Sequence, residues 1–435
     1  MTTPRTSASR TLLTAGLVGA LMATGAPATA GSDAAAPTGR IDLVTLSTAG
    51  VQSERKPSLG GASRTVSAHG RFVVFSSPDE DLVRRDRNGV DDVFVRDRLY
   101  GTTRLVSVTA DGRQADDYSI EPTISANGRY VAFTSFSDKL MRRDRNGVLD
   151  VFVKDLKTGR LRLVSQTTAG RPRTANSFYP QISADGHSVA FQTFASFAVT
   201  DDDRREDVYV RNLPEGTTHH VSLNKQDVDI SRSVLVGGIS DDGSRVSFGN
   251  RSVVMVRDLT TERTHVVHRE RGHDAAIGRP TISGDGEYIA FASLSPDLVP
   301  GARGVWTEVV RADVETRKLV HVSVPADGRS APSEDSFGPT LDRTGDSVAF
   351  VSGSRTIIEG DGNEAPDVFV RDIRAGTTTL VSATPEGEPG NSHSGRSAQS
   401  SISRDGNTVA FVTYATDLGF RDTNNAADVV TWTRD

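Results

Sequence analysis

Residues 124–133, ISANGRYVAF, decide the fold, because variants of this phrase recur along nearly the whole chain. The seven copies are VSAHGRFVVF (66–75), ISANGRYVAF (124–133), ISADGHSVAF (182–191), ISDDGSRVSF (239–248), ISGDGEYIAF (282–291), LDRTGDSVAF (341–350) and ISRDGNTVAF (402–411). Each copy predicts a short strand, a tight turn centred on Asp-Gly or its equivalent, and a second strand. Self-similarity at a fixed period is typical of repeat proteins, so the seven units predict one domain rather than several.

Each unit continues with a third and a fourth predicted strand, as at Asp92 to Val95 and Arg104 to Val108 in the first unit. Four antiparallel strands form one propeller blade, so the sequence predicts an all-β protein, a seven-bladed β-propeller with four antiparallel strands per blade. We expect the phenylalanine that ends every phrase to pack between blades rather than to bind a ligand. These residues are Phe75, Phe133, Phe191, Phe248, Phe291, Phe350 and Phe411.

The two ends of the chain predict how the ring closes. The seventh unit stops after its third strand, DVVTW (428–432), and lacks a fourth. Residues 41–47, IDLVTLS, resemble the sequence of a predicted fourth strand such as TRLVSV (103–108). Pairing of this N-terminal strand with the last blade would close the ring and cover an exposed sheet edge. The propeller is therefore predicted to span residues 41–435.

The first thirty residues predict a signal peptide. Arg5 and Arg10 precede an apolar stretch from Leu12 to Ala23, and Ala28-Thr29-Ala30 has the form of a cleavage site. The apolar stretch is too short to predict a membrane span. We therefore expect a protein that is secreted to the extracellular or cell-envelope space after cleavage near Ala30, with residues 31–40 as a disordered leader.

Composition narrows the class of partner. The formal net charge is -6, and loss of the signal peptide, which carries two arginines and no acid, makes it more negative. Nucleic-acid binding usually rests on a basic patch, so a nucleic-acid partner is disfavoured. There is no cysteine, so a large core rather than disulfides must stabilise the exported protein, which we expect to be a monomer.

The ISxDGxxVAF phrase followed by DVFVRD resembles the WD-like propeller repeat of the TolB type, found in many secreted and periplasmic bacterial proteins. The resemblance covers residues 41–435 and implies the propeller fold. It implies no particular function, since propellers serve as binding scaffolds and as enzymes. TolB itself differs in having a separate N-terminal α/β domain and six blades, so its partners are not carried over.

Five of the loops between the second and third strands carry an acidic motif, D-x-[ND]-x-x-x-D. Its residues are Asp86, Asn88 and Asp92; Asp144, Asn146 and Asp150; Asp201, Asp203 and Asp207; Asp361, Asn363 and Asp367; and Asp422, Asn424 and Asp428. The spacing suits Ca²⁺, a hard cation that binds oxygen ligands, and no other cofactor is predicted. The alternative is that these side chains hydrogen-bond to nearby backbone amides in tight turns.

The fourth and fifth units break this pattern and predict a notch in the loop face, the face that carries these loops and the inter-blade loops. The fourth unit deletes the acidic loop, leaving Arg251 in a short turn, and the fifth replaces it with GARGVW (301–306), which includes Trp306. Aromatic residues of the inter-blade loops are candidates to line the same face: Tyr118, Phe178, Tyr179 and Phe337. They would suit a sugar or a peptide, or else pack down over the blade ends.

The sequence has no G-x-S-x-G, no H-E-x-x-H, no phosphate-binding loop and no cysteine nucleophile. Two functions therefore stay open. The first is a non-catalytic scaffold that binds an extracellular or cell-envelope protein, peptide or glycan through its loop face. The second is a calcium-dependent propeller hydrolase or lyase acting on an extracellular substrate. Five similar acidic loops favour the first, whereas a convergent cluster of carboxylates, His and Arg at the central channel would favour the second.

Overall fold

A computed structural model gives the structure of residues 39–60, 64–142, 144–198, 201, 205–226, 230, 232–270, 278–296, 298, 305–328, 333–395 and 400–435. The predicted signal peptide and residues 31–38 of the predicted leader lie outside these described residues. The described residues all belong to the unit that spans Ala36–Asp435.

Seven antiparallel sheets form the blades of a β-propeller, which confirms the predicted fold class. The first strand, β1 (Gly39–Leu43), belongs to the last blade. Blade 1 contains β2 (Phe72–Ser77), β3 (Asp92–Asp97) and β4 (Thr102–Leu105). Blade 2 contains β5 (Ser119–Ile124), β6 (Tyr130–Ser135), β7 (Asp150–Asp155) and β8 (Leu161–Leu163). Blade 3 contains β9 (Ser177–Ile182), β10 (Ser188–Thr193), β11 (Asp207–Asn212) and β12 (Thr217–His220).

The remaining blades repeat the same order. Blade 4 contains β13 (Leu235–Ile239), β14 (Arg245–Asn250), β15 (Val253–Asp258) and β16 (Arg263–Arg269). Blade 5 contains β17 (Thr281–Ile282), β18 (Tyr288–Ser293), β19 (Glu308–Asp313) and β20 (Leu319–His321). Blade 6 contains β21 (Ser336–Leu341), β22 (Ser347–Ser352), β23 (Asp367–Asp372) and β24 (Thr377–Leu380). Blade 7 contains β25 (Ser400–Ile402), β26 (Thr408–Thr413), β27 (Asp428–Arg434) and β1.

Within the residues that the structure describes, blade 1 has three strands. Its innermost segment, in which residues 61–63 are not described, is joined to β2 by isolated bridges between Val66 and Val73 and between Ser58 and Ser76. These bridges join the two arms of the predicted hairpin in this blade.

The turn of each phrase needs glycine for two reasons. Gly186, for example, has a φ of 78°, a left-handed conformation that glycine adopts without strain. A Cβ at this position would also come within 2.2 Å of the Tyr130 ring of the preceding blade. The turns thus fix both the hairpin and the spacing between adjacent blades.

The seven phrase-ending phenylalanines are all fully buried, as predicted. Four of them stack on an aromatic residue of the neighbouring third strand, such as Phe133 on Phe152 with ring centroids 5.8 Å apart. Phe133 also packs with Val74 and Val95 of blade 1. The core is therefore a series of apolar layers between successive blades, which holds the ring together.

Ring closure by the N-terminal strand is confirmed. β1 pairs antiparallel with β27, and Ile41 lies opposite Trp432. The strand is shifted from the predicted 41–47: it starts at Gly39 and ends at Leu43. Gly39 extends it because only a residue without a side chain fits beneath the Trp432 indole, where a Cβ would lie 2.1 Å from Nε1. Thr45 leaves the ladder, and its Oγ1 donates a hydrogen bond to Asp428.

Candidate binding site at the central channel

The end of the channel nearest the hairpin turns is closed by a ring of backbone hydrogen bonds. Most of the participating residues follow the serine of each phrase, and each N–H donates to a carbonyl of the next blade. The bonds are Ala68 to Ala126 (2.9 Å), Ala126 to Ala184 (2.9 Å), Ala184 to Asp241 (3.0 Å), Asp241 to Gly284 (2.7 Å), Gly284 to Asp342 (3.3 Å), Arg343 to Arg404 (3.0 Å) and Asp405 to Ala68 (3.3 Å).

An ion cluster fills this closed end. The Asp241 carboxylate lies 3.2 Å from the Arg64 guanidinium and 3.8 Å from that of Arg343, and it accepts a hydrogen bond from Arg404. Burial lowers the pKa of Arg64. The adjoining cavity has a volume of about 10 Å³, room for about one water molecule. This convergence of Arg and Asp at the channel therefore leaves no room for a substrate.

The opposite, loop-face end of the channel is shaped by bulges in the first strands. The pairing registers shift between Ile120 and Thr123 and between Phe337 and Thr340. Each of four blades places a residue that precedes proline at this position: Glu121, Tyr179, Arg279 and Gly338. Glu121 and Tyr179 have φ values of 57° and 54°, a strained conformation for residues with side chains. Such strain is common at functional sites.

Charged and polar side chains from three blades, 2, 3 and 5, meet at this mouth. Glu121 Oε2 accepts hydrogen bonds from the Tyr179 N–H (2.8 Å) and from Thr134 Oγ1 (2.9 Å), and burial raises the pKa of Glu121. The Arg279 guanidinium lies 3.6 Å from the centroid of the Tyr179 ring. Glu121, Tyr179 and Arg279 therefore form one connected set, which we call the mouth triad.

The mouth triad is held in place by further contacts. Arg279 Nη1 donates to Gln192 Oε1 (3.0 Å) and to the carbonyl of Val236 (2.9 Å). Gln192 is fully buried, and its Nε2 makes no hydrogen bond to the residues that the structure describes. The mouth thus contains a fixed cation and a fixed carboxylate.

An aromatic surface lies beside the mouth triad on blades 2 and 3. Phe178 contacts Tyr179 edge-on at 5.3 Å and Phe194 at 5.7 Å, and Tyr118 stacks on Phe136 at 5.7 Å. Phe194 is 41% exposed. We call Tyr118, Phe136, Phe178 and Phe194 the aromatic shelf.

The structure brings together only part of the predicted ligand-binding set. Tyr118, Phe178 and Tyr179 lie around the mouth, whereas Phe337 packs into the core between blades 6 and 7. Trp306 is 40% exposed in the β18–β19 loop, and no ring pair of the described chain includes it. Arg251 is exposed in the two-residue turn between β14 and β15, so the predicted deletion of the acidic loop in blade 4 is present. Residues 301–304 lie outside the described part.

Sequence reasoning missed Glu121, Arg279, Gln192, Phe136 and Phe194. A signal for two of them was present, because the residue before proline in the first strands changes from Glu to Tyr, Arg and Gly in an otherwise uniform repeat. Phe136 and Phe194 occupy equivalent positions just after the second strand.

Side-chain hydrogen bonds connect the acidic loops to their own blades. In blade 1, Asp92 accepts from Asn88 Nδ2 (2.8 Å) and from the Ser107 hydroxyl, and Asn88 also donates to the carbonyl of Ala115 (3.1 Å). The same bonds recur at equivalent residues in blades 2 and 6: Asn146 and Ser165 to Asp150, and Asn363 and Ser382 to Asp367.

Blades 3 and 7 use variants of this network. Asp207 accepts from Ser222 (2.6 Å), and the Tyr209 hydroxyl donates to Asp201 (2.8 Å). In blade 7, Asn424 donates to the carbonyl of Ser53. The predicted ligand Asp203 lies outside the described residues. Most of these bonds join side chains to one another, and the others end on backbone carbonyls. Within the part of the chain that the structure describes, no group of three or more His, Cys, Asp or Glu side chains is placed to hold a metal ion.

Burial makes the stability of these loops depend on pH. It raises the pKa of Asp86 and Asp428 to about 6 and that of Asp144 and Asp367 to about 7, from an ordinary value of 3.8. The folded state therefore binds more protons than the unfolded state between about pH 4 and pH 7, so the free energy of unfolding falls as pH rises through this window. Each such group lowers the free energy of unfolding by at most about 1.4 kcal/mol for every unit that the pH rises.

We expect the melting temperature in the presence of chelator to be higher at pH 5 than at pH 8. The double variant Asp144→Asn, Asp367→Asn should show a flatter dependence, because it lacks two of the titrating groups. A wild-type melting temperature that climbs steadily from pH 5 to pH 8 would contradict the assignment.

Neither models of known protein families nor curated proteins match this sequence. Solved structures do match it. Oligogalacturonate lyase in complex with manganese is 13% identical, with a TM-score of 0.54 over 91% of this chain and 97% of that chain. Oligogalacturonate lyase from Vibrio parahaemolyticus is 11% identical, with the same TM-score and coverage. The β-propeller domain of the Trilobed protease from Pyrococcus furiosus is 11% identical, with a TM-score of 0.53 over 87% of this chain and 95% of that chain.

TolB from Agrobacterium tumefaciens is also similar, at 17% identity and a TM-score of 0.39 over 66% of this chain and 89% of that chain. Within the described residues, no helix is long and apolar enough to cross a membrane. At these identities the likenesses concern the fold alone. The seven blades and their closure confirm the propeller that the TolB-type repeat predicts, and this chain is similar in fold to oligogalacturonate lyase and to the β-propeller domain of the Trilobed protease.

Proposed function

We propose that this chain is a secreted, non-catalytic β-propeller that binds an extracellular protein, peptide or glycan at the loop-face mouth of its channel. The observation that carries the proposal is the mouth triad of Glu121, Tyr179 and Arg279 beside the aromatic shelf. Ligand sites typically combine a largely apolar surface with a few fixed polar groups, which is the combination found here.

The polar groups of the mouth suit binding because they are already immobilised. Arg279 is held by the Tyr179 ring and by two acceptors, and Glu121 by two donors. Fixed groups lose little conformational freedom when a ligand arrives, so more of the interaction energy appears as affinity. The exposed ring of Phe194 can stack on a sugar face or an apolar side chain.

Secretion belongs to the same proposal. It is supported by the charged start at Arg5 and Arg10, the apolar stretch from Leu12 to Ala23 and the small residues around Ala30. An extracellular ligand follows from this location.

The alternative, a calcium-dependent hydrolase or lyase, gains no support from the closed end of the channel. The similarity to oligogalacturonate lyase is one of fold, and the convergent ion cluster at Asp241 is packed around a cavity of only 10 Å³. Calcium binding by the acidic loops is likewise a proposal, supported by the oxygen-rich spacing of their side chains.

The binding proposal predicts that Phe194→Ala weakens ligand binding at least tenfold. The chain from residue 31 would be screened against arrays of glycans and peptides, and the affinity of the strongest hit measured by calorimetry. Loss of one stacked ring at a site centre costs about 1.4 kcal/mol or more, which is a factor of ten in Kd.

Tyr100→Ala is the matched control, because Tyr100 is 70% exposed in the β3–β4 turn on the opposite face of the ring. It should bind as wild type does. Equal losses in the two variants, or binding that Phe194→Ala leaves unchanged, would refute the proposal.

A further inference from the structure

The two carboxylates of an acidic loop are bridged by a glutamine in some blades. In blade 1, Gln114 Nε2 donates to Asp86 Oδ1 and to Asp92 Oδ2, both at 2.7 Å. In blade 7, Gln52 Nε2 donates to Asp422 at 3.1 Å and to Asp428 at 2.6 Å. The amide hydrogens thus lie between two carboxylates that would otherwise repel each other.

Blades 2 and 6 have proline at the position of this glutamine. Isolated bridges define the equivalence: Val108 with Gln114, Leu46 with Gln52, Gln166 with Pro172, and Ala383 with Pro389. Proline carries no side-chain donor. The pairs Asp144/Asp150 and Asp361/Asp367 therefore have no amide between them.

The first aspartate of each unbridged pair has a buried oxygen without a partner. Asp144 is 2% exposed and Asp361 is 9% exposed, and Oδ1 of each makes no hydrogen bond to the described residues. Asp86 also keeps one such oxygen, but an amide already joins its other oxygen to Asp92. Burying an ionised carboxylate that no donor or cation contacts is unfavourable. A positive group between the two carboxylates would therefore stabilise each unbridged pair.

The charges around the two pairs differ. Asp144 and Asp150 are within hydrogen-bonding reach of each other, and the negative charge of Asp138 acts on both of them. In blade 6, Glu334 and Asp417 add negative charge near the pair, but the positive charge of Arg355 acts on Asp361 and disfavours a second cation there. A cation should therefore bind more tightly in blade 2.

We propose that the carboxylates of Asp144 and Asp150 bind one divalent hard cation of the Ca²⁺ class between them, and that Asp361 and Asp367 bind a second one more weakly. In each site the cation takes the place that a glutamine amide has in blades 1 and 7. Two carboxylates supply oxygen ligands, and water completes the coordination. These sites are separate from the channel mouth, so they do not depend on the proposed ligand.

The test is calorimetric titration of the chelator-stripped chain from residue 31 with CaCl₂ at pH 7.5. We expect two ions per chain. Pro172→Gln should remove the tighter site, because it supplies the amide that blade 1 has, and Pro172→Ala should keep both sites as the matched control. Asp86→Asn, in an amide-bridged loop, should also keep both.

Asp144→Asn provides a second route to the same site if the glutamine variant does not fold, and it should lower the stoichiometry from two to one. Absence of calcium binding by the wild type would overturn the proposal, since the unbridged carboxylates would then be neutralised by a shared proton. Unchanged stoichiometry in both Pro172→Gln and Asp144→Asn would overturn it as well.

Discussion

A chain that begins at residue 46 is expected to lose roughly 5 kcal/mol of stability relative to one that begins at residue 31. The shorter chain lacks β1, which pairs with β27, and it lacks the fully buried Val44. Ile41 and Leu43, which pack partly buried against the blade 6 and 7 cluster, are lost as well. Urea-induced unfolding followed by tryptophan fluorescence measures the difference, because Trp432 lies under the missing strand.

Two comparisons make this expectation specific to ring closure. A chain that begins at residue 39 keeps β1 and should unfold like the longer one. A synthetic peptide of residues 39–47 should restore part of the lost stability when added to the shortened chain, since it can pair with the open edge of β27. Equal stability of the chains starting at 31 and 46 would show that β1 does not secure the ring.

The fold could be predicted because its determinants are local and repeated. Each phrase contains its own turn glycine and its own phenylalanine, so seven copies give seven independent indications of the same hairpin. The closing strand was found for the same reason, since IDLVTLS matches the fourth strand of other units. Its exact limits were missed because they depend on a contact between Gly39 and Trp432, which are far apart in sequence.

The candidate site could not be predicted in the same way, because three different units each supply only one residue of the mouth triad. Glu121, Tyr179 and Arg279 are alike only in preceding a proline, and closure of the ring is what brings them together. The contrast between Gln114 and Pro172 is similar. Each lies in an inter-blade loop well after its acidic motif, and its importance is visible only where the loop folds back over the carboxylates.

Asp241→Asn is expected to destabilise the protein by about 3–5 kcal/mol, the usual cost of removing one partner from a buried ion pair. The substitution keeps the shape of the side chain but removes the only carboxylate that Arg64 and Arg404 contact among the ion pairs of the described residues. Both guanidinium groups are largely buried, and neighbouring backbone groups are already used by the ring of hydrogen bonds. The measurement is urea-induced unfolding at pH 7.

Two further variants separate charge from packing. Asp111→Asn removes the carboxylate of an exposed pair with Arg113 and should leave stability unchanged, because solvent screens such pairs. Arg404→Met in the Asp241→Asn background should recover part of the loss, since one fewer buried cation is left without a partner. If Asp241→Asn unfolds at the wild-type urea concentration, the cluster is not needed to close the channel, and the backbone ring alone holds that end.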